Sequence, residues 1–321
     1  MLRYVVRRVL WGVGLLFITS AVIFLIFYAF PSGDPAAARA GRLATPEEID
    51  RISETLGLND PLYVQYWEYM KNLVLHFDFG FSYESNAPVK ELIFDRLPAT
   101  FSLVFGAVIL WLGAAIPVGI ISAVRQRSVF DRVTMITTLA LYSAPVFWLG
   151  LVLLYLFAED VGQFPIFPGQ GAYTPIADGV GSWAGALILP WIVLAAASAA
   201  IYARYLRSSL IDVMDEDYIR TARAKGLGER RVVMHHGVRS AITPVVTLLG
   251  VDIGLLLAGN AILTESVFNI PGVGSLIFTS IERSDLPVVQ GVVLFGAFFI
   301  IVLSILVDIA YAYLDPRVRY S

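Results

Sequence analysis

Six apolar runs, each long enough to cross a lipid bilayer, constrain this chain more than any other feature. They lie at about Val9–Phe30, Ala99–Val124, Val133–Phe157, Ala186–Leu206, Ile242–Leu263 and Val288–Leu314. At about 1.5 Å rise per residue, the first covers roughly 33 Å, enough for the hydrocarbon core. In lipid a segment must satisfy its own backbone hydrogen bonds, so such runs fold as helices. The expected fold class is therefore all-α, an integral membrane protein with six transmembrane helices. Composition agrees, with 57% hydrophobic and 15% charged residues against about 25% charged in soluble domains. The first run follows Arg3, Arg7 and Arg8 and could be taken for a signal peptide. It exceeds the roughly 7–15 apolar residues of a signal core, so a retained helix is expected.

Three regions follow. Residues 1–30 form the N-terminal end and first span, 31–98 a polar insertion, and 99–321 a five-helix core with a charged loop at 207–241. The insertion is acid-rich and opens on Pro31, Gly33 and Pro35, which break the first helix. Thr45-Pro46-Glu47-Glu48 has the pattern of a capped helix start, and Gly57 is placed to end that helix. Pro61 to Leu75, with Tyr63, Tyr66, Trp67 and Tyr69, suits an amphipathic helix near a membrane surface. Arginine and lysine alternate between the short loops: Arg125, Arg127 and Arg132 after the second span, none between Ala158 and Gly185, then the basic 207–241 loop. The positive-inside rule puts both termini and that loop in the cytoplasm and the insertion outside.

Several chemistries are excluded. With no cysteine there is no disulfide framework, thiolate metal site or cysteine nucleophile. No lysine follows a glycine, so there is no phosphate loop, and no Gly-x-Ser-x-Gly elbow occurs. The adjacent His235 and His236 would point about 100° apart on a helix, a poor metal pair. The net charge of −3 argues against nucleic acid. Asp252 stands in mid-span, where a carboxylate is costly and marks a candidate site. It lies roughly 160–200° around the helix from Gly250 and Gly254. It is expected either to line a water-filled path, favouring cationic or zwitterionic cargo, or to pair structurally with a partner chain or a water. Glu265 and Asp308, near span ends, are expected at the interface.

Between the fourth and fifth spans, Asp215 to Pro244 is too charged for the bilayer. Tyr218, Ile219, Ala222 and Gly226 are spaced to share one side of a short helix, with Gly226 and Gly228 ending it. A second short segment, Glu229 to His236, returns the chain to the membrane. A six-span protein without a phosphate loop, presenting such a helix to the cytosol, suggests docking to a motor.

Tyr218 to Leu227, followed by His236, Arg239, Ala241 and Pro244, resembles the coupling-helix loop of ABC importer permeases, and more specifically their dipeptide/oligopeptide branch. The likeness runs nearly end to end. It includes Pro31-Ser32-Gly33-Asp34-Pro35, Leu56-Gly57-Leu58, Pro61-Leu62, Gln65-Tyr66, Pro88-Val89 and Arg96-Leu97-Pro98-Ala99-Thr100. Glu265 to Phe268, Pro271-Gly272-Val273-Gly274, and Asp308, Tyr311 and Asp315-Pro316-Arg317 complete it. Ser32 is an insertion, Ser240 replaces the usual Asn, and Asp252 stands where many members carry Gln.

The resemblance implies a type I ABC importer permease with a small extracytoplasmic insertion and no catalytic residues, cofactor or metal of its own. ATP and Mg would be bound by two partner ATPase subunits. The other implied partners are a second homologous permease, an extracytoplasmic solute-binding protein and the lipid bilayer. It assigns Asp217, Tyr218, Arg220, Thr221, Ala222, Arg223, Ala224, Lys225, Gly226 and Leu227 to ATPase docking, with Ala222 and Gly226 allowing close approach. The cargo it implies is a dipeptide or oligopeptide, with nickel complexes, glutathione or oligosaccharides as alternatives. An ion-coupled secondary transporter using Asp252, or a membrane scaffold, are the readings from other classes.

Overall fold

The computed structural model describes residues 2–26, 35–40, 44–55 and 57–314. Residues 31–34, Leu56 and the Asp315-Pro316-Arg317 motif lie outside them, as does the side chain of Asp308. The described chain is helical almost throughout, with isolated bridges at Phe81–Pro88 and Ala158–Phe167.

Four helices are individually long and apolar enough to cross a membrane. They are α1 (Leu2–Phe24), α5 (Val89–Val124), α8 (Val180–Met214) and α15 (Leu286–Leu314). Between α1 and α5 come the short helices α2 (Pro35–Ala40), α3 (Pro46–Thr55) and α4 (Leu62–Lys71) of the insertion. Three bent pairs bring the number of spans to as many as seven. One joins α6 (Val129–Ser143) to α7 (Val146–Phe157) at 101°. The second joins the segment α10 (Glu229–Arg231) to α11 (Val238–Ala241) with α12 (Thr243–Leu255) at 45°. The third, α13 (Ile262–Phe268) and α14 (Val273–Glu282), meets at 87°. One more short helix, α9 (Asp217–Ala224), lies in the charged loop.

The sequence-based boundaries shift along the chain, most of all at two runs. The run expected to begin at Ala99 is the inner part of α5, which starts at Val89 and continues through Pro98. The run from Val133 to Phe157 is no single rod: Ala144 and Pro145 are extended, with ψ of 127° and 131°. Proline lacks the amide proton and pushes its predecessor out of the helical region, which bends the chain there.

The core forms where small residues let helices close on one another. A Cβ on Gly106 of α5 would lie 2.0 Å from the indole of Trp191 on α8, whose Nε1 donates to Ser102 O at 3.0 Å. One on Gly119 would lie 2.8 Å from Ala203 O, so α5 and α8 pack backbone to backbone. Gly254 brings α12 against Ile300 of α15, where a Cβ would meet Ile300 Cα at 3.1 Å. In the insertion, α3 has the expected capping box: Thr45 N donates to Glu48 Oε2 at 2.9 Å and Glu48 N to Thr45 Oγ1 at 3.3 Å. The Thr45 backbone bond, with its hydroxyl, holds the Glu48 carboxyl below the usual range. Asp285, 3% exposed, accepts from Tyr83 N at 2.9 Å and from the Ser82 hydroxyl, and Arg283 pairs with Glu84. These bonds fasten the insertion to the loop between α14 and α15.

Candidate functional site

The charged loop is built as a rigid platform. At about 1.5 Å per residue, the last eight residues of α8 beyond Leu206 carry the chain roughly 12 Å past its apolar section. The turn at Asp215 and Glu216 then starts α9, with Asp217 in its first turn and Arg223 in its last. Both charges complement the helix dipole. Leu227 N donates to Ala222 O at 3.4 Å and Gly226 N to Arg223 O at 2.9 Å, the two bonds of a Schellman stop. Gly226 has φ +74°, a left-handed conformation that costs other residues about 1–2 kcal/mol. Gly228 precedes α10, as the sequence suggested.

The faces of α9 differ from the pattern drawn from spacing alone. Ile219 is 0% and Ala222 7% exposed, packed with Val232, Met214 and Leu227 inside the loop. Ala222 is therefore closed off by its own chain and presents no small-residue surface. Gly226 faces open space, and its backbone conformation is what the position requires. The outward residues are Asp217, Tyr218, Arg220, Thr221, Arg223, Ala224 and Lys225, while Leu227 is half-buried. Arg220 pairs with Asp217 at 3.3 Å, and Arg223 grips Glu229 through two bonds of 2.8 and 3.2 Å. Exposed pairs like these add little stability. They fix a charged surface, and the Tyr218 and Ser240 hydroxyls, 3.0 Å apart, tie it to the returning segment.

An ion pair missed by the sequence reading joins α6 to α8 on the approach to this loop. Asp131, at the start of α6 and 4% exposed, accepts from Arg207 of α8 at 2.6 Å (Nε) and 2.8 Å (Nη2). It also accepts from the Ser122 hydroxyl of α5 and from Arg127 N at 2.9 Å. One carboxylate thus binds the end of α5, the start of α6 and α8 together, two turns before α8 ends at Met214. The available sequence signal was Ser128-x-x-Asp131, a helix start in which Ser128 Oγ accepts from Asp131 N at 3.2 Å. Nothing local pointed to Arg207, a residue 76 positions away.

Asp252 lies on the side of α12 opposite the Gly254–Ile300 contact. Its Oδ2 accepts from the Tyr202 hydroxyl of α8 at 2.6 Å. Tyr202 is 1% exposed and packs against Trp111 of α5 at 5.1 Å between ring centroids. The carboxylate therefore has a partner within its own chain, and Asp252 remains half-buried. Glu265, expected at the interface, is 0% exposed. Its Oε1 accepts from Thr100 Oγ1 at 2.7 Å and its Oε2 from Ser275 N at 2.8 Å, while Val273 N donates to Thr100 Oγ1 at 2.8 Å. The carboxylate closes the α13–α14 hairpin by capping the start of α14. Gly272 and Gly274 make room, since Cβ atoms there would meet Glu265 Cδ at 2.2 Å and Ile262 Cα at 2.8 Å. Glu265→Ala should strip these partners at about 1–3 kcal/mol for each buried group left unbonded. The check is hydrogen exchange, which should speed up at the Gly274 and Ser275 amides while those of α8 stay protected.

The deciding comparison covers nearly the whole chain. The family described as binding-protein-dependent transport system inner membrane component matches residues 115–320, and the N-terminal component of the same systems matches residues 1–104. The chain is an ABC importer permease of this family. The glutathione transport system permease protein GsiC of Escherichia coli (strain K12) is 40% identical over 321 residues, covering all of both chains. The dipeptide transport system permease protein DppB of Alkalihalophilus pseudofirmus is 38% identical over 336 residues, again covering both completely. The permease is thus a multi-pass membrane component of a binding-protein-dependent transport system, as its apolar helices require.

Proposed function

We propose that this permease forms half of the path of an ATP-driven importer for short peptides or the peptide-like glutathione. It contributes no catalytic residue. Two cytoplasmic ATPase subunits would hydrolyse ATP and press on α9, a second homologous permease would complete the path, and an extracytoplasmic binding protein would deliver cargo. Both termini and the 207–241 loop face the cytoplasm in this arrangement, and the insertion and the loops after α7 and α14 face the binding protein. The observation that carries the reading is α9 itself: an outward charged surface locked by a Schellman stop and seated through Ile219 and Ala222 on Val232 and Met214. That design suits a part that must transmit force without yielding.

Relatives named for glutathione and for dipeptides support both cargoes equally, and nickel complexes and oligosaccharides are the further alternatives within this transporter type. Asp252 would stand beside the path, oriented by Tyr202, and favour cargo carrying a free amine. The test is uptake into vesicles holding the complete transporter, with ATP supplied and ion gradients collapsed. Continued uptake of a dipeptide or glutathione is expected, and Asp252→Asn should narrow the preference for amine-bearing over N-acetylated cargo by about five- to tenfold, the range of a single close charge. Uptake that stops with the gradient would make the protein an ion-coupled carrier and overturn the proposal.

A further inference from the structure

An apolar groove of about 470 Å³ runs between α1, the segment following α4, and α15. Leu16 and Ser20 line it on one side, Leu73 and Phe77 on the second, and Leu294 and Phe298 on the third. The Ser20 hydroxyl is already satisfied by Phe17 O at 2.8 Å and Tyr66 Oη at 2.9 Å, so the groove offers carbon alone. Two of its walls are helices long and apolar enough to cross the membrane. The third is the helical stretch from Leu62 to His76, where Trp67 is 69% exposed and Val74, equally exposed, lines the groove at its open side. A helix with such an exposed apolar and aromatic face suits the headgroup–acyl boundary.

A cation stands beside one of the rings that line the groove. Lys90 Nζ lies 5.5 Å from the centroid of the Phe77 ring. Among the described residues it has no ion pair, whereas neighbouring Lys71 is engaged by Glu68 at 3.5 Å. Lys90 precedes Phe94 by one turn of α5, and Phe94 packs on Phe77 and Phe295 at 6.1 and 6.0 Å. The charge is therefore one turn nearer the start of α5 than Phe94, the ring that packs on the groove-lining Phe77 and Phe295.

We propose that this groove is a lipid site that takes one acyl chain of an anionic phospholipid, with the phosphate held at Lys90. The apolar walls supply affinity by excluding the chain from water and the lysine supplies headgroup selectivity, since a basic residue at the surface attracts anionic lipid. Seated there, the lipid would brace α1, which meets the core chiefly along α15, against the insertion. The site depends on α1 and α15 crossing the membrane and is independent of cargo.

The test uses the full chain purified in detergent and titrated with phosphatidylglycerol or phosphatidylcholine, with bound lipid counted by native mass spectrometry. One tightly retained phosphatidylglycerol is expected, preferred over phosphatidylcholine by about fivefold, the factor one lysine near an anionic headgroup supplies. Lys90→Gln should erase the preference and leave weak retention of both lipids. Val74→Trp, at an exposed position that folding tolerates, should fill the groove and lower retention of both. Equal retention of the two lipids by the unaltered chain, or a preference that survives Lys90→Gln, would overturn the proposal. So would a Val74→Cys chain that cross-links in membranes to a second permease, because a protein helix would then occupy the groove.

Discussion

Asp131→Ala is expected to destabilise the permease by about 3 kcal/mol, the cost of leaving one member of a buried ion pair without its partner. Arg207 is 23% exposed and Asp131 5% at the side chain, so water relieves only part of the loss. Ser122 and the Arg127 amide lose their acceptor at the same time. At roughly 1.5 °C per kcal/mol for 321 residues, the thermal midpoint should fall by about 4–5 °C. Arg207→Met should cost a similar amount, because the carboxylate is then the orphan. The double variant Asp131→Leu with Arg207→Met should regain much of the loss, since apolar replacement of a whole buried pair is often neutral. A double-mutant cycle in purified protein reads the coupling directly. If the two single losses simply add, the pair contributes no joint energy and the junction of α5, α6 and α8 must be held by helix packing alone.

The membrane part of the fold was legible because lipid imposes one simple demand on sequence. A segment such as Ala186–Leu206 has no way to cross other than as a helix, so its composition declares its structure. Bends were hidden for the same reason. Val133–Phe157 is apolar on both sides of Pro145, and the 101° turn leaves no trace in hydropathy. Glu265 was misplaced because its position near a span end suggested solvent, whereas its partners Thr100 and Ser275 come from distant segments that only the fold assembles. On α9, spacing grouped Tyr218 with Ile219 and Ala222. The structure separates them, because Val232 and Met214 arrive to cover one side. Periodicity finds an amphipathic face but cannot say whether that face meets a partner or the chain's own return segment. The glycine stop at Gly226 was readable, since a glycine just past a helix end has a local cause.

That stop gives the sharpest test of docking. Gly226→Arg is expected to leave the permease inserted and folded while lowering ATP-dependent uptake at least about tenfold, the effect of roughly 1.4 kcal/mol lost from the contact. Folding should survive, because the left-handed backbone costs a non-glycine residue about 1–2 kcal/mol against a typical stability of 5–15 kcal/mol. A Cβ at Gly226 would meet nothing within 4 Å, and the position is exposed, so the new side chain starts out into open space. Any loss of transport must then arise outside the chain, where the arginine projects beside Lys225 into whatever seats α9. Gly226→Asn separates the two roles of the position: asparagine tolerates the left-handed turn and projects little, so uptake should stay within about twofold of the original. Uptake by Gly226→Arg at the original rate would remove α9 from the docking surface. Equal failure of the asparagine variant would instead show that the surface at Gly226 admits no side chain at all, drawing the partner within contact distance of the backbone.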